Sequence, residues 1–289
     1  MHSTRHSRRR FLGAAAAASV AGAIADQEKE KRTGLLSERI RKAVKYHMIT
    51  EDLSVEDKFR LLQDLGFDGV EPRAAVKPEQ RELVRQLAKA SERTGLPIHG
   101  VVHSSNPNIE DAIDQAKYFG ATSVLHVVRY DRSLSYQKNH EQTQAILRRA
   151  AVHAAKQKIL ILIENVWATF LIEPNAMKQY VDTLQSDWVQ VYFDVGNVVR
   201  WGWPQHWIEV LGKRIRKLDI KEYDLAIAMN EGMRKGFSIP LGEGSVDWKK
   251  VRQELLAIDY RGWATAEVRG GDRRRLAEIS EQMDRVLDL

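Results

Sequence analysis

Two rhythms of apolar and polar residues take turns along this chain. Short runs that are wholly apolar or alternate with period two read as strands. Longer stretches with apolar residues three or four apart read as amphipathic helices. "AVKYHMI" (43–49) reads as a strand, and "SVEDKFRLLQDLG" (54–66) as a helix capped by Ser54 and ended by Gly66. The pattern recurs as strand 67–72, helix 77–95, strand 97–103, helix 108–120, strand 121–128 and a long helix over 134–157. "KILILIE" (158–164) is apolar almost throughout, as expected of a strand buried on both faces. A helix over 173–186, a strand over 188–194, a short helix opened by Pro204 and a strand over 215–221 follow. Residues 222–246 read as a long loop, followed by helix 247–258, strand 262–268 and a final helix over 272–289. Eight strand–helix pairs in strict alternation predict a parallel sheet with right-handed crossovers. Eight units in about 250 residues favour a single closed (β/α)8 TIM barrel over an open doubly wound sheet. No G-x-G-x-x-G follows the first strand, which weakens the dinucleotide-binding form of the open sheet.

The start of the chain stands outside this rhythm. "SRRRFL" (Ser7–Leu12) holds paired arginines, an apolar run extends from Phe11 to about Ala25, and "AIA" (23–25) offers small residues for cleavage. Residues 1–25 read as a twin-arginine signal peptide, residues 26–40 as a charged linker or capping segment, and 41–289 as the barrel. The apolar run is short for a membrane anchor, which needs about 20 residues. The expected location is therefore periplasmic or otherwise extracytoplasmic. The signal also accounts for much of the basic balance. It carries four arginines and no acid, so its removal takes the formal charge from +6 to +2. That remainder gives no footprint for nucleic acid. No cysteine is present, which excludes disulfides and thiolate metal sites.

In such a barrel, chemistry sits at the C-terminal ends of the strands. Strand five ends in Glu164, strand six in Asp194, strand seven carries Asp219 and strand eight carries Glu267. Four carboxylates at one mouth cannot all stay ionised unaided, because one like-charged pair at 4 Å costs about 4 kcal/mol at an effective dielectric near 20. Protons or a cation must sit among them. All-oxygen ligation favours Mn²⁺ or Mg²⁺, with Co²⁺ or Zn²⁺ as further candidates. Salt bridges to Lys221 or Arg269 are the plainer alternative for any one of these acids.

"ILIENVW", "YFDVGN", "KLDIKEYD", "LGEGSVDW" and "ATAEV", taken in order, resemble the xylose isomerase-like TIM-barrel superfamily of sugar and sugar-phosphate isomerases and epimerases. The resemblance implies a single divalent metal held by Glu164, Asp194, Asp219 and Glu267. Asp219 stands where better-studied members have histidine, and Asn197 stands where many relatives have histidine. It further implies that Glu164 and Glu267 act as an acid/base pair on a ketose or keto-sugar, through an enediolate. Return of the proton to the opposite face of the same carbon is epimerisation, and return to the neighbouring carbon is isomerisation. Loss of a β-hydroxyl would make a keto-sugar or keto-inositol dehydratase. A non-catalytic exported sugar-binding barrel is the alternative from another class. An abasic-site nuclease would need a histidine-rich mouth and a basic surface. His47 and His103 end strands one and three, and Glu71 ends strand two; each is a candidate substrate contact. Trp167 and Trp203, just past the acids of strands five and six, could stack on a sugar ring. Lys221 could bind a substrate oxygen or hold a carboxylate, and Arg269 with Lys221 could bind an anionic group of the substrate. The expected partner is a small sugar, with homo-oligomers compatible and no stable membrane insertion once the signal is removed.

Overall fold

The computed structural model describes residues 33–75, 77–104, 108–167 and 170–289. The expected signal and the first part of the expected linker, residues 26–32, lie outside the described residues. Ser54 opens the first helix by accepting a hydrogen bond from Asp57 N at 3.1 Å, and Gly66 leaves it with φ +78°, a conformation L side chains rarely adopt. Eight such units follow one another: β1 Ile40–Lys45, α1 Val55–Asp64, β2 Gly69–Glu71, α2 Arg81–Thr94, β3 Val101–Ser104, α3 Ile109–Tyr118, β4 Ser123–His126, α4 Tyr136–Gln157, β5 Leu160–Glu164, α5 Pro174–Thr183, β6 Val189–Asp194, α6 Val195–Val198, α7 Pro204–Leu211, β7 Ile215–Ile220, α8 Leu225–Glu231, α9 Trp248–Ala257, β8 Gly262–Ala266 and α10 Arg273–Leu287. All strands pair in parallel, in the order β2-β1-β8-β7-β6-β5-β4-β3. Bridges Val70↔Ile98 and Arg73↔Val102 join the two outer strands, so the sheet closes into a (β/α)8 barrel.

The large apolar core lies between strands and helices, with Phe59, Leu87, Ile113, Leu147, Met177, Ile208, Val251 and Ile279 facing inward from the helix layer. The barrel interior is different. Its apolar filling is a small cluster of Leu125, Val127, Leu162 and Tyr192. The rest is polar and buried: Lys45, Glu71, His99, Ser123, Lys217, Asp219 and Thr265. Barrels are usually packed with bulky branched residues at these positions. Polar groups there must be paired or they cost several kcal/mol each.

Within the expected linker or capping segment, Leu36 is fully buried, and its N–H donates to Asp288 O at 3.1 Å. Two expectations need correction. β1 ends at Lys45, and a 3₁₀ turn over Tyr46–Met48 carries His47, so His47 does not end a strand. The stretch 222–246 is not one loop. It holds α8, capped by Asp224, whose carboxylate accepts from Ile227 N at 2.7 Å, and a 3₁₀ turn over Lys235–Ser238. The buried Glu222 gathers the remainder. Its carboxylate accepts from Gly242 N at 2.8 Å, Val246 N at 3.1 Å and Trp248 Nε1 at 2.8 Å, which fixes "LGEGSVDW" against the end of β7.

Candidate active site

Glu164 and Asp194 close β5 and β6. Asp219 is paired directly with Asp194 across the β6–β7 ladder. Glu267 follows β8, and its N–H continues the ladder to Ile220 O at 3.1 Å. One carboxylate oxygen from each of the four lies within 4.8 Å of the others. Local bonds aim them. Asn165 Oδ1 accepts from Asp194 N at 2.8 Å while its Nδ2 donates to Asp194 O at 2.8 Å, which ties the ends of β5 and β6 together. Asp194 Oδ1 accepts from Asn197 N at 2.9 Å and so caps α6, leaving Oδ2 for the cluster. Asn197 Nδ2 donates to Asn165 O at 2.9 Å and more weakly to Glu164 Oε1 at 3.4 Å.

Two ammonium groups face these acids. Lys221 Nζ lies 2.7 Å from Asp194 Oδ2, 3.0 Å from Glu267 Oε2 and 4.0 Å from Glu164 Oε1. Lys45 Nζ lies 2.5 Å from Glu71 Oε2 and 2.9 Å from Asp219 Oδ1. Lys45 thus pairs with two buried carboxylates at once, Glu71 and Asp219. Burial works against the charge on both lysines. The facing carboxylates outweigh it and raise both above the ordinary lysine range. The acids divide. Burial, with Glu267 and Asp194 nearby, pushes Glu164 up to about 8. Burial also raises Asp194, and it raises Asp219 well above the carboxylate range. Glu267 is the exception. Burial would raise it, but its side chain is 30% exposed, and Lys221 and Lys45 bring it down to about 2.

Beneath the cluster the polar interior forms one connected chain. Lys217 Nζ donates to His99 O at 2.6 Å and faces His99 Nδ1 at 3.0 Å; His99 Nε2 meets Thr265 Oγ1 at 3.1 Å. The Tyr192 hydroxyl lies 2.9 Å from Thr265 Oγ1 and donates to Glu71 Oε2 at 3.0 Å. Glu71 in turn holds Lys45. Burial lowers Lys217 to about 7 and holds His99 neutral, well below the ordinary histidine range. This chain is the floor that sets Asp219 and Lys45 in place.

The other candidate residues fall in distinct places. Glu71 is in the floor, fully buried against Lys45 and Tyr192. His47 stands on its turn near the mouth, where burial and then Arg73 lower it. His103 is buried on β3, its ring stacked on that of His126 with centroids 5.5 Å apart. Trp167 is half-buried after β5. Its indole N–H donates to Asn197 O at 2.6 Å, and its ring packs against Trp201, Tyr223 and Phe237. Trp203 is 54% exposed at the start of α7, and Arg269 is exposed just past Glu267. Lys45, His99, Tyr192, Lys217, Thr265 and Asn165 were not among the expected site residues. Period two on β1 and β7 carries a signal for the lysines, since Lys45 shares a face with Ala43, and Lys217 shares a face with Asp219 and Lys221.

The donor set fits a hard divalent cation. Four carboxylates meet two lysines; burial is the main cause that raises Glu164, Asp194 and Asp219, and the neighbouring carboxylates add to it. Asp219 is fully buried and the Lys45 ammonium, 2.9 Å from Oδ1, is its one counter-charge among the ion pairs of the described residues. All-carboxylate ligation suits Mn²⁺ or Mg²⁺. One group stands in the same space. An ammonium and a divalent ion 4 Å apart repel by about 8 kcal/mol at an effective dielectric near 20, twice the value for a unit pair.

A family model described as "Xylose isomerase-like TIM barrel" matches residues 59–288. SgbU of Escherichia coli (strain K12), which carries the provisional name L-ribulose-5-phosphate 3-epimerase, is 25% identical over 245 residues, 74% of this chain and 83% of its own. The inosose dehydratase of Histophilus somni (strain 129Pt) is 28% identical over 130 residues, 39% of this chain and 42% of its own. Among solved structures, the apo form of 3-keto-D-glucoside 4-epimerase from E. coli gives a TM-score of 0.71 at 13% identity, covering 86% of this chain and 99% of that one. The D-allulose 3-epimerase of Methylomonas sp. in complex with D-allulose gives 0.68 at 17% identity, covering 86% and 97%. At these identities the structural likeness concerns the fold.

Proposed function

This chain belongs to the xylose isomerase-like TIM barrel family, and from that premise we propose that it is a sugar epimerase or isomerase that acts on a ketose or keto-sugar and depends on a divalent metal. One observation carries the reading. Glu164, Asp194, Asp219 and Glu267 each bring a carboxylate oxygen within 4.8 Å of the others at the C-terminal mouth of the barrel. Burial pushes Glu164 up, while Lys221 and Lys45 hold Glu267 down against its own burial, a separation of the kind an acid/base pair uses.

Glu164, Asp194, Asp219 and Glu267 would hold the ion, which when bound would polarise the substrate carbonyl and offset the charge that grows on its oxygen. The chain's own groups move the protons. Glu267, ionised and at the open side of the cluster, takes the proton from the carbon beside the carbonyl and becomes neutral, while the C–H electron pair moves into the enediolate. Glu164 gives its proton to the other face of that carbon, or to the neighbouring carbon, and is left as a carboxylate. Each turnover exchanges the two states, and both reset with water at the mouth. Asn197 and Asn165 keep Glu164 and Asp194 in place. Trp167, bonded to Asn197 O, and His47, on the turn after β1, are the side chains beside the cluster that would meet a substrate. The match to inosose dehydratases supports a second reading, in which the same proton abstraction expels a β-hydroxyl. The run of three arginines, Arg8, Arg9 and Arg10, before an apolar stretch supports export by the twin-arginine route.

The test is turnover of a panel of ketoses, their phosphates and inosose with Mn²⁺ or Mg²⁺, with products separated by chromatography. A new epimer or aldose that vanishes with chelator and in Glu164→Gln and Glu267→Gln supports the proposal. Full turnover by either variant would overturn the acid/base assignment.

A further inference from the structure

Lys221 stands where an ion held by the cluster would have to stand. Its ammonium is within 4.0 Å of three of the four carboxylates, and closest to Asp194 and Glu267. The root of the side chain is fixed. A Cβ added to Gly196 would lie 2.5 Å from Lys221 Cβ and 3.0 Å from its carbonyl carbon, so the turn after β6 grips Lys221 at its base. The head is not fixed in the same way. The Lys221 side chain is 16% exposed and that of its partner Glu267 30%, against 0% for Asp194 and 8% for Glu164, so these two side chains are the ones in the cluster that solvent reaches most. A flexible four-carbon stem joins root to head. The carboxylates have less freedom, because Glu164, Asp194 and Asp219 stand on strands.

We propose that Lys221 is a resident counter-cation that a divalent metal ion displaces, its ammonium leaving the carboxylates as the ion enters and turning into the mouth to meet a substrate oxygen. Two cations cannot share one small buried site, and of the groups there the lysine head moves most freely. The inference rests on the metal-dependent reading above. It adds that the cluster is neutralised in both states, by lysine in one and by the ion in the other, and that loading presents a new cationic contact to the substrate.

The experiment uses the full chain freed of metal by chelation, with Mn²⁺ alone as the probe. Calorimetry measures Mn²⁺ binding to the wild type and to Lys221→Met. Brief labelling with an amine reagent, read by mass spectrometry, measures access to Lys221 with and without Mn²⁺, with Lys45 as the buried internal reference. The expected result is at least tenfold tighter Mn²⁺ binding by Lys221→Met and at least fivefold faster labelling of wild-type Lys221 when Mn²⁺ is bound, with Lys45 unchanged. Mn²⁺ bound to the wild type with Lys221 labelling unchanged would overturn the displacement and leave the metal-dependent reading intact. No Mn²⁺ binding by either protein would overturn the metal reading itself, and the displacement with it. Should the variant fail to fold, the labelling of the wild type still decides.

Discussion

At the scale of single residues, burial and two lysines give four similar acids different chemistry. Glu164→Gln and Glu267→Gln are each expected to lower turnover by at least about 10²-fold, the usual loss when a positioned acid or base is removed. Circular dichroism should show both variants folded. Glu164 also predicts a pH effect on stability. In the metal-free protein its pKa rises to about 8 from an ordinary value of about 4.3. A raised folded-state value means a contribution that is full below the unfolded pKa and is lost as pH climbs through the folded one. The metal-free wild type should therefore lose stability between about pH 4.5 and 8 relative to Glu164→Gln, which lacks that proton. Urea midpoints at several pH values measure the difference. Parallel profiles for the two proteins would contradict the environment assigned to Glu164.

At the scale of elements, the ends of β6 and β7 are built around each other. Gly196 gives room to Lys221, and a methyl group there must push against Lys221 Cβ and backbone. Gly196→Ala should destabilise the fold by about 1–3 kcal/mol through overpacking, and should weaken Mn²⁺ binding as well, since Asp194 caps the same turn. Glu222→Ala strands Gly242 N, Val246 N and Trp248 Nε1. At about 1–3 kcal/mol for each buried donor left unpaired, it is expected to be among the most damaging changes outside the cluster. Thermal unfolding measures both. Much of this level was legible from the chain. Alternating strand and helix patterns, Ser54, Gly66 and Pro204 marked the units, and the four acids could be read from strand ends alone. The polar floor was less legible. Tyr192, Thr265 and His99 look ordinary in sequence, and they become a chain only when closure of the barrel brings β2, β6 and β8 together across separations such as 121 and 73 residues. His47 was misplaced because "AVKYHMI" continues an apolar pattern through a 3₁₀ turn that periodicity does not separate from a strand.

At the scale of the whole molecule, a barrel that fills its interior with charge gives up apolar packing where most barrels have it. The hydrogen-bonded network from Lys217 to Lys45 offsets part of that loss, while Asp219 above it meets the Lys45 ammonium. A ligand that completes the cluster should therefore stabilise the entire fold. Mn²⁺ at 100 times its dissociation constant is expected to add about 2.7 kcal/mol of stability to the wild type, and much less to Asp194→Asn, measured as urea midpoints with and without the ion. Solvent deuterium exchange tests the central claim most directly. The protein is incubated in D₂O with Mn²⁺ and each ketose of the panel, and the sugar is followed by proton NMR. Proton transfer by Glu164 and Glu267 predicts loss of the signal from one carbon beside the carbonyl, dependent on Mn²⁺ and abolished in Glu267→Gln. Conversion of any of these sugars with no deuterium entering that carbon, or exchange that persists unchanged in Glu267→Gln, would contradict it.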